Sequence, residues 1–520
     1  MAKRSRIPII DLFAGPGGLG EGFSSLRSEN GDRLFSIALS VEADAFAHRT
    51  LELRAFYRQF DDSGCPDAYY DYVRNPTSAA RDALFATFPA QASRARAEAW
   101  HHRLSLESAE QVTARVRTAL GRRRTWVLIG GPPCQAYSLA GRSRRTHDDS
   151  FEADEKHTLY RHYLRIIEDL APPVFVMENV KGILSAKIDK QSTIDRVLSD
   201  LRSAGPGYTV HSFVRAADDP ATLRPSDFVI RAEDHGIPQA RHRVILLGVR
   251  RDLTRRPSQL GRYGRPVSVG SVIGDLPRLR SSLSHRCGAR PDGPEAWIDA
   301  LRQGLAAMPE ELTAVATAAV LEAEHGVPSL GRPFSATRSR PSEHAAWYKR
   351  DAALGGITNH NSRSHMASDL RRYLFCASFA RVHHRSPVLA DFPDELLPAH
   401  ANVVAGAVGT DFADRFRVQI ADRPSTTITS HISKDGHYYI HDDPSQCRSL
   451  SVREAARLQT FPDDYFFEGN RTQQYHQVGN AVPPLLARQL AAVVAKVLGR
   501  RPEDALPRAD SPADRGPSAQ

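Results

Sequence analysis

The segment IPIIDLFAGPGGLGEGF, residues 7–23, constrains the fold more than any other part of the chain. Residues 7–13 are short, apolar and β-branched, as in a strand buried on both faces of a parallel sheet. AGPGGLG follows at 14–20, and a helical pattern begins at Glu21. SIALSV at 36–41 reads as a second strand, ended by Glu42. WVLIG (126–130), PPVFVMENV (172–180) and RHRVILLGVR (241–250) read as further strands, and YRHYLRIIEDL (160–170) has helical spacing. Such alternation predicts an α/β fold, a Rossmann-like doubly wound sheet. Residues 66–122, polar and rich in Ala and Arg, are expected to be a helical insertion between strands.

The chain has 520 residues, enough for more than one domain. Residues 1–250 are expected to form the main domain. From 251 to 425 the pattern loosens into shorter helical pieces, expected to be a smaller, mixed second domain. Regularity returns in 426–498, which should complete the first domain, and 499–520 has the Pro, Asp, Arg and Ser content of a disordered tail. No apolar run reaches the roughly 20 residues of a membrane span. The N-terminus lacks the pattern of a secretory signal, so a cytoplasmic protein without membrane partners is expected. Cys65, Cys134, Cys287, Cys376 and Cys447 form no CxxC pair, which suggests neither a disulfide framework nor a metal site. The net charge of +9 fits a polyanionic partner, although many basic proteins bind no nucleic acid.

The glycines at 15, 17 and 18 let backbone approach a ligand closely at a helix N-terminus. Glu42, ending the next strand, is placed to accept hydrogen bonds from a ribose. The turn departs from the G-x-G-x-x-G phosphate fingerprint, so a ligand with a ribose and no pyrophosphate fits better. S-adenosylmethionine is such a ligand. A purely structural turn is the competing explanation. GGPPCQAYS (130–138) puts Cys134 on a loop after a strand, at the same sheet edge. A thiolate is a strong nucleophile at neutral pH, but a lone loop cysteine is more often a bystander. VMENV adds Glu178 and Asn179 at another strand end, and QARHR adds Arg241 and Arg243 at the start of a fourth.

The ordered set DLFAGPGG, SVEAD, GGPPCQAYS, MENV, QARHR, REAARLQTFPDDY and QVGNAVPP closely resembles the cytosine-5 DNA methyltransferases, over about residues 7–495. The resemblance implies a class I methyltransferase fold and DNA (cytosine-5-)-methyltransferase activity with S-adenosyl-L-methionine on double-stranded DNA. It implies that Cys134 adds to carbon-6 of a flipped cytosine. Glu178 would share a proton at the N3 side, Arg243 would hold the base carbonyl, Arg241 would help position cysteine and base, and Asn179 would order the loop. Phe13, Ala14, Gly15, Gly17, Gly18 and Leu19 would meet the methionine and adenosine moieties. Glu42 would bind the ribose, Leu159 would pack on the cofactor, and Asn480, Ala481 and Val482 would close the pocket. The acidic residue expected after the third strand, toward the adenine amine, is not evident in this sequence.

Residues 138–157 read as a mobile loop closing over DNA, with Arg142, Arg144 and Arg145 toward phosphates. REAARLQTFPDDYFF is helical and apolar on one face, and the resemblance implies a mainly structural role for it. Residues 251–425 occupy the target-recognition slot, where GRPFSATRSRPSEHAAWYKR and RVHHRS, basic with interleaved aromatics, suit either a DNA surface or a solvated basic face. The resemblance carries a self-DNA marking role in restriction-modification or antiphage defence, with a cognate endonuclease or defence-system proteins as partners. A monomer is expected. An RNA cytosine-5 methyltransferase and a catalytically silent DNA-binding relative are the alternatives. A hydride-transferring dinucleotide enzyme fails at the glycine pattern.

Overall fold

The computed structural model describes residues 5–60, 64–132, 152–188, 191–284, 292–398 and 414–506. The chain divides into two compact units. Unit 1 comprises residues 1–65, 83–265 and 481–520, and unit 2 comprises residues 66–82 and 266–480.

Unit 1 is built on β1 (Ile7–Leu12), β2 (Phe35–Glu42), β3 (Ala99–His101), β4 (Val127–Gly130), β5 (Val174–Val180), β6 (Tyr208–Ser212), β7 (Val229–Arg231) and β8 (His242–Arg250). They form one eight-stranded sheet in the order β3-β2-β1-β4-β5-β8-β6, with β7 also paired to β8. The pairs among β1 to β5 are parallel, and β8 runs antiparallel to β5, β6 and β7. The expected α/β sheet is therefore present, with an antiparallel edge. All six residues of β1 are buried, and so are all four of β4. That is why these segments read as continuous apolar runs rather than as alternating ones. Ile10, Leu12, Leu39, Leu128, Tyr163, Ile166, Phe175 and Leu246 share one core beneath the helices.

The expectation of a purely helical 66–122 needs correction. It contains Asp67–Arg74, Ser78–Thr87, Pro89–Glu98 and Ala109–Leu120 as helices, but also the third strand of the sheet, β3. Three residues, AWH, are too few to show a strand period. The helix before β5 spans Glu152–Leu170 and so takes in residues expected to belong to the mobile loop.

In unit 2, helices Pro294–Leu305, Glu310–His325 and Ala367–His383 bury Trp297, Leu301, Leu312, Leu374 and Phe375 in a common core. Strands Gly331–Ala336 and Gly356–Asn361 form an antiparallel hairpin. Helix Val452–Leu458, expected to be apolar on one face only, is buried at every position. Its polar face is satisfied internally. Arg453 donates to the carbonyls of Thr358, Pro462 and Tyr465, and Arg457 to Asp463 and Asp275. Glu454 accepts from Arg448 through both oxygens, at 2.7 and 2.6 Å. The long helical stretch Arg471–Val497 is long and apolar enough to span a membrane, but 89% of its apolar window is buried within the fold.

Candidate active site

The glycine turn leaves β1 at Phe13, whose φ of 60° is left-handed and strained for a residue with a side chain. Three main-chain contacts hold the turn. The Ala14 amide donates to the Val41 carbonyl at 3.1 Å, the Gly17 amide to the Ala14 carbonyl at 2.9 Å, and the Gly15 amide to Glu42 Oε2 at 2.7 Å. Glu42 Oε1 accepts from the Asp44 amide at 2.7 Å, so one carboxylate ties the turn to the end of β2. Burial raises the pKa of Glu42, and these amides oppose the rise. A carboxylate has four lone-pair sites, so acceptor capacity remains for a diol. A Cβ at Gly15 would meet nothing within 4 Å, so open space lies beside the turn.

The helix that follows, Gly18–Ser25, is pinned on two sides. Glu21, 4% exposed at its side chain, receives Arg54 at 3.0 and 2.9 Å and Arg58 at 3.5 Å, both from helix Ala45–Arg58. On the other side lies helix Pro484–Val497. A Cβ at Gly18 would stand 2.2 Å from the Val482 carbonyl and 3.3 Å from Ala481 Cβ. A Cβ at Gly22 would stand 2.4 Å from Ala487 Cβ. Ala481 and Val482, more than 450 residues along the chain, thus lie against the glycine turn. Leu19 is buried, and Leu159 is half-buried against the unit 1 core. Asn480 is the last residue of unit 2, where its amide meets His476 at 2.9 Å.

The second cluster lies at the C-terminal ends of β4 and β5. Arg243 Nε stands 2.9 Å from Glu178 Oε1, with both side chains largely buried. Arg243 pairs with Val180 across the β5–β8 ladder, which carries it to the Glu178 end of β5. A Cβ at Gly131 would lie 2.8 Å from Glu178 Oε2. Asn179 Nδ2 donates to the Pro132 carbonyl at 3.3 Å, and its Oδ1 accepts the Val180 amide at 2.9 Å. Glu178 and Asn179 therefore grip Gly131 and Pro132, two residues before Cys134. Cys134 itself, with Arg142, Arg144 and Arg145, lies outside the described residues. Arg241 is 2% exposed and reaches Gln239 Oε1 at 3.5 Å. The two clusters share a sheet edge because β1, β4 and β5 are parallel neighbours.

Two features escaped sequence reasoning. Asp11, inside the apolar β1, is fully buried, and among the described residues no side chain hydrogen-bonds its carboxyl, which lies beside the Gly20 amide. Burial first, then the nearby Glu42, pushes its pKa up to about 8, against weaker opposing effects of Arg58 and the Gly20 amide. Its place inside an apolar run was the available signal. The second is the end of β3, level with Glu42, where an acidic residue was expected toward adenine. His101 faces Glu42 across the ladder, and the His102 amide donates to the Glu42 carbonyl at 2.9 Å. The His102 ring stacks on Trp100, with centroids 4.1 Å apart.

The doubly wound sheet, with a glycine turn after β1, a carboxylate ending β2 and an antiparallel β8 beside β5, is a class I methyltransferase fold. A crystal structure of a prophage-encoded DNA modification methyltransferase candidate from E. coli superposes with a TM-score of 0.50 at 19% identity, covering 95% of this chain and all of that one. The model of the C-5 cytosine-specific DNA methylase family matches residues 106–287 and 357–496, and the chain belongs to that family of DNA-methylating enzymes. It is 33% identical to the type II methyltransferase M.Bpa9945I of Bacillus paralicheniformis over 94% of this chain and 99% of that protein. It is 28% identical to the type II methyltransferase M.AgeI of Thalassovita gelatinovora over 93% of this chain and 98% of that protein.

Proposed function

We propose that the protein transfers a methyl group from S-adenosylmethionine to carbon-5 of a cytosine flipped out of a specific short sequence in double-stranded DNA. The observation that carries this reading is the Glu178–Arg243 pair with Glu178 and Asn179 set against Gly131 and Pro132, at the sheet edge that carries the glycine turn. The open space at Gly15 and the spare acceptor sites of Glu42 suit a nucleoside with a small polar tail. Phe13, Ala14, Gly17, Gly18, Leu19, Leu159, Asn480, Ala481 and Val482 are the remaining residues assigned to it. S-adenosylmethionine held there supplies an electrophilic methyl sulfonium.

The protein's own residues prepare the base. Carbon-5 of cytosine is a weak nucleophile. Cys134, as thiolate, adds to carbon-6 and turns the ring into an enamine whose carbon-5 is nucleophilic. Glu178 shares a proton with N3, so negative charge does not build up on the ring. Arg243, already paired with Glu178, orients that carboxyl and offers its guanidinium to the base carbonyl. Arg241 helps position cysteine and base. After methylation, loss of the carbon-5 proton and β-elimination free Cys134. The ring must leave the stack for these steps.

Residues 251–425 are assigned to target recognition. Within them, Trp347 and Tyr348 are internal anchors, donating to the carbonyls of Thr460 and Arg457. In RVHHRS, Arg385 pairs with Asp391 and His383 with Glu311. The exposed Arg332 and Arg338 of the hairpin region are better placed to meet DNA. The designation of the relatives as type II methyltransferases supports a self-marking role in the cytoplasm, beside a cognate endonuclease or defence proteins, and we assign a monomer to it.

The test is a genome-wide 5-methylcytosine map by bisulfite conversion, in a host without cytosine methylation, beside a Cys134→Ala control. A short motif methylated only with the intact cysteine is expected. Methylation surviving in the control would remove the covalent mechanism, and methyl transfer to total RNA alone would replace the substrate.

A further inference from the structure

Unit 1 carries a concave basic surface that the methylation chemistry does not use. Strand β6 closes one side of the sheet. Its Tyr208 and Val210 face the core, while Thr209 and His211 are half-buried on the outer side. Beyond β6 the chain leaving β8, VRRDLTRRPSQ, bends back past the 215–220 loop. Between them lies a recess of about 500 Å³ lined by Thr209, His211, Arg215, Arg251, Arg255 and Arg256. It stands four strand positions from the glycine turn, about 19 Å at ~4.8 Å per strand.

The charges in this recess are poorly balanced. The neighbouring Arg250 is neutralised by Asp252, at 2.7 and 2.9 Å, and donates to the Ala171 carbonyl at 2.6 Å. The others are not. Among the described residues, Arg215 and Arg255 form no ion pair, and Arg251 reaches only the Arg202 carbonyl, at 3.3 Å. Arg256 meets Asp218 at 3.5 Å, but both are strongly exposed, so that pair contributes little. Burial, then the Arg256 charge, pushes the His211 pKa down to about 4, so at neutral pH it is an uncharged ring with an N–H to donate. Four arginines line one depression beside one exposed carboxylate, the Arg251 guanidinium packed against Gly207 and that of Arg255 beside Gly499. Each presents a fork of donors that matches phosphate oxygens.

We propose that the recess formed by Arg215, Arg251, Arg255 and Arg256 is a phosphate-binding site separate from the methylation crevice. The phosphate comes either from duplex DNA flanking the methylated sequence or from a free phosphorylated small molecule. The assignment does not depend on the roles given to Cys134, Glu178 or the glycine turn.

The test uses the full chain and the triple variant Arg215→Gln, Arg255→Gln, Arg256→Gln. Unchanged melting and unchanged S-adenosylhomocysteine affinity establish that the variant is folded. Pyrophosphate, titrated by calorimetry, should bind the unaltered protein saturably and the variant at least tenfold more weakly, a loss of about 1.4 kcal/mol or more. Asp218→Asn, which removes the competing carboxylate, should tighten pyrophosphate binding and keeps the proposal testable if the triple variant does not fold. Duplexes of two lengths identify the source. A salt slope reduced by about two to three for the long duplex alone assigns the site to DNA backbone. Pyrophosphate loss with unchanged slopes assigns it to a free phosphorylated ligand. No saturable pyrophosphate binding, or equal binding by the triple variant, overturns the proposal.

Discussion

Asp11 shows how one buried group imposes a pH dependence. Its carboxyl ionises at its ordinary 3.8 when unfolded and holds its proton to about 8 in the fold. Between those values the folded state binds the extra proton. The Asp11 contribution is therefore fully present below pH 4 and is lost as pH rises through 8, by at most about 1.4 kcal/mol per pH unit. Asp11→Asn should leave stability unchanged near pH 4 and raise the melting temperature at pH 8.5, as read by thermal unfolding across that range. An equal effect at both ends would mean that the carboxyl is ionised in the fold. Glu42 tethers the turn and is proposed to meet the ribose, two roles that substitution separates. Glu42→Gln keeps one acceptor and should weaken S-adenosylhomocysteine binding about tenfold. Glu42→Ala loses both the Gly15 and Asp44 tethers and should cost about a hundredfold by calorimetry. Unchanged affinity would move the ribose site elsewhere.

At the scale of elements, the glycine turn depends on two helices packed without a gap. Gly22 leaves no room for a methyl group beside Pro484–Val497, so Gly22→Ala forces the two helices apart. A cost of about 1–3 kcal/mol is expected by urea denaturation. Displacing that helix carries Ala481 and Val482 away from the turn, so cofactor affinity should fall with stability. Gly261→Ala, with nothing within 4 Å, is the control and should be nearly neutral. In unit 2 the buried helix Val452–Leu458 is held by charge. Arg457→Leu strands Asp463, which is 2% exposed, and should destabilise by about 3–5 kcal/mol. A loss under 1 kcal/mol would mean that Lys349, 2.7 Å from Asp463, compensates alone.

For the whole molecule, the expected boundaries shift, because residues 426–480 belong to unit 2 rather than with the sheet of unit 1, while target choice is proposed to rest on residues 251–425. Exchanging exposed loops within 251–425 should change the methylated motif in bisulfite maps and leave S-adenosylhomocysteine affinity unchanged. A motif that survives extensive exchange would remove the recognition assignment. The units are not contiguous in sequence. Residues 66–82 belong with unit 2, where Tyr70 reaches Asp351 at 2.8 Å, and Tyr72 and Arg81 reach Glu468 at 3.0 and 2.8 Å. These partners are 281 to 396 residues apart, and no local pattern announces them.

The sequence alone determined five of the eight sheet strands (β1, β2, β4, β5 and β8), the glycine turn and the strand-end residues Glu42, Glu178 and Arg243. Their signals are local: apolar runs of buried parallel strands, and glycine or charge where those runs stop. The tertiary structure alone decided what these residues touch. Sheet register brings Arg243 to Glu178, and helix packing brings Val482 to Gly18. It also recruited AWH as a strand, since three residues carry no period, and buried the arginines of Val452–Leu458, satisfied by acids and carbonyls from 6 to 185 residues away. Periodicity records the environment of a segment. The identity of its neighbours is set by long-range packing, which leaves no local trace in the sequence.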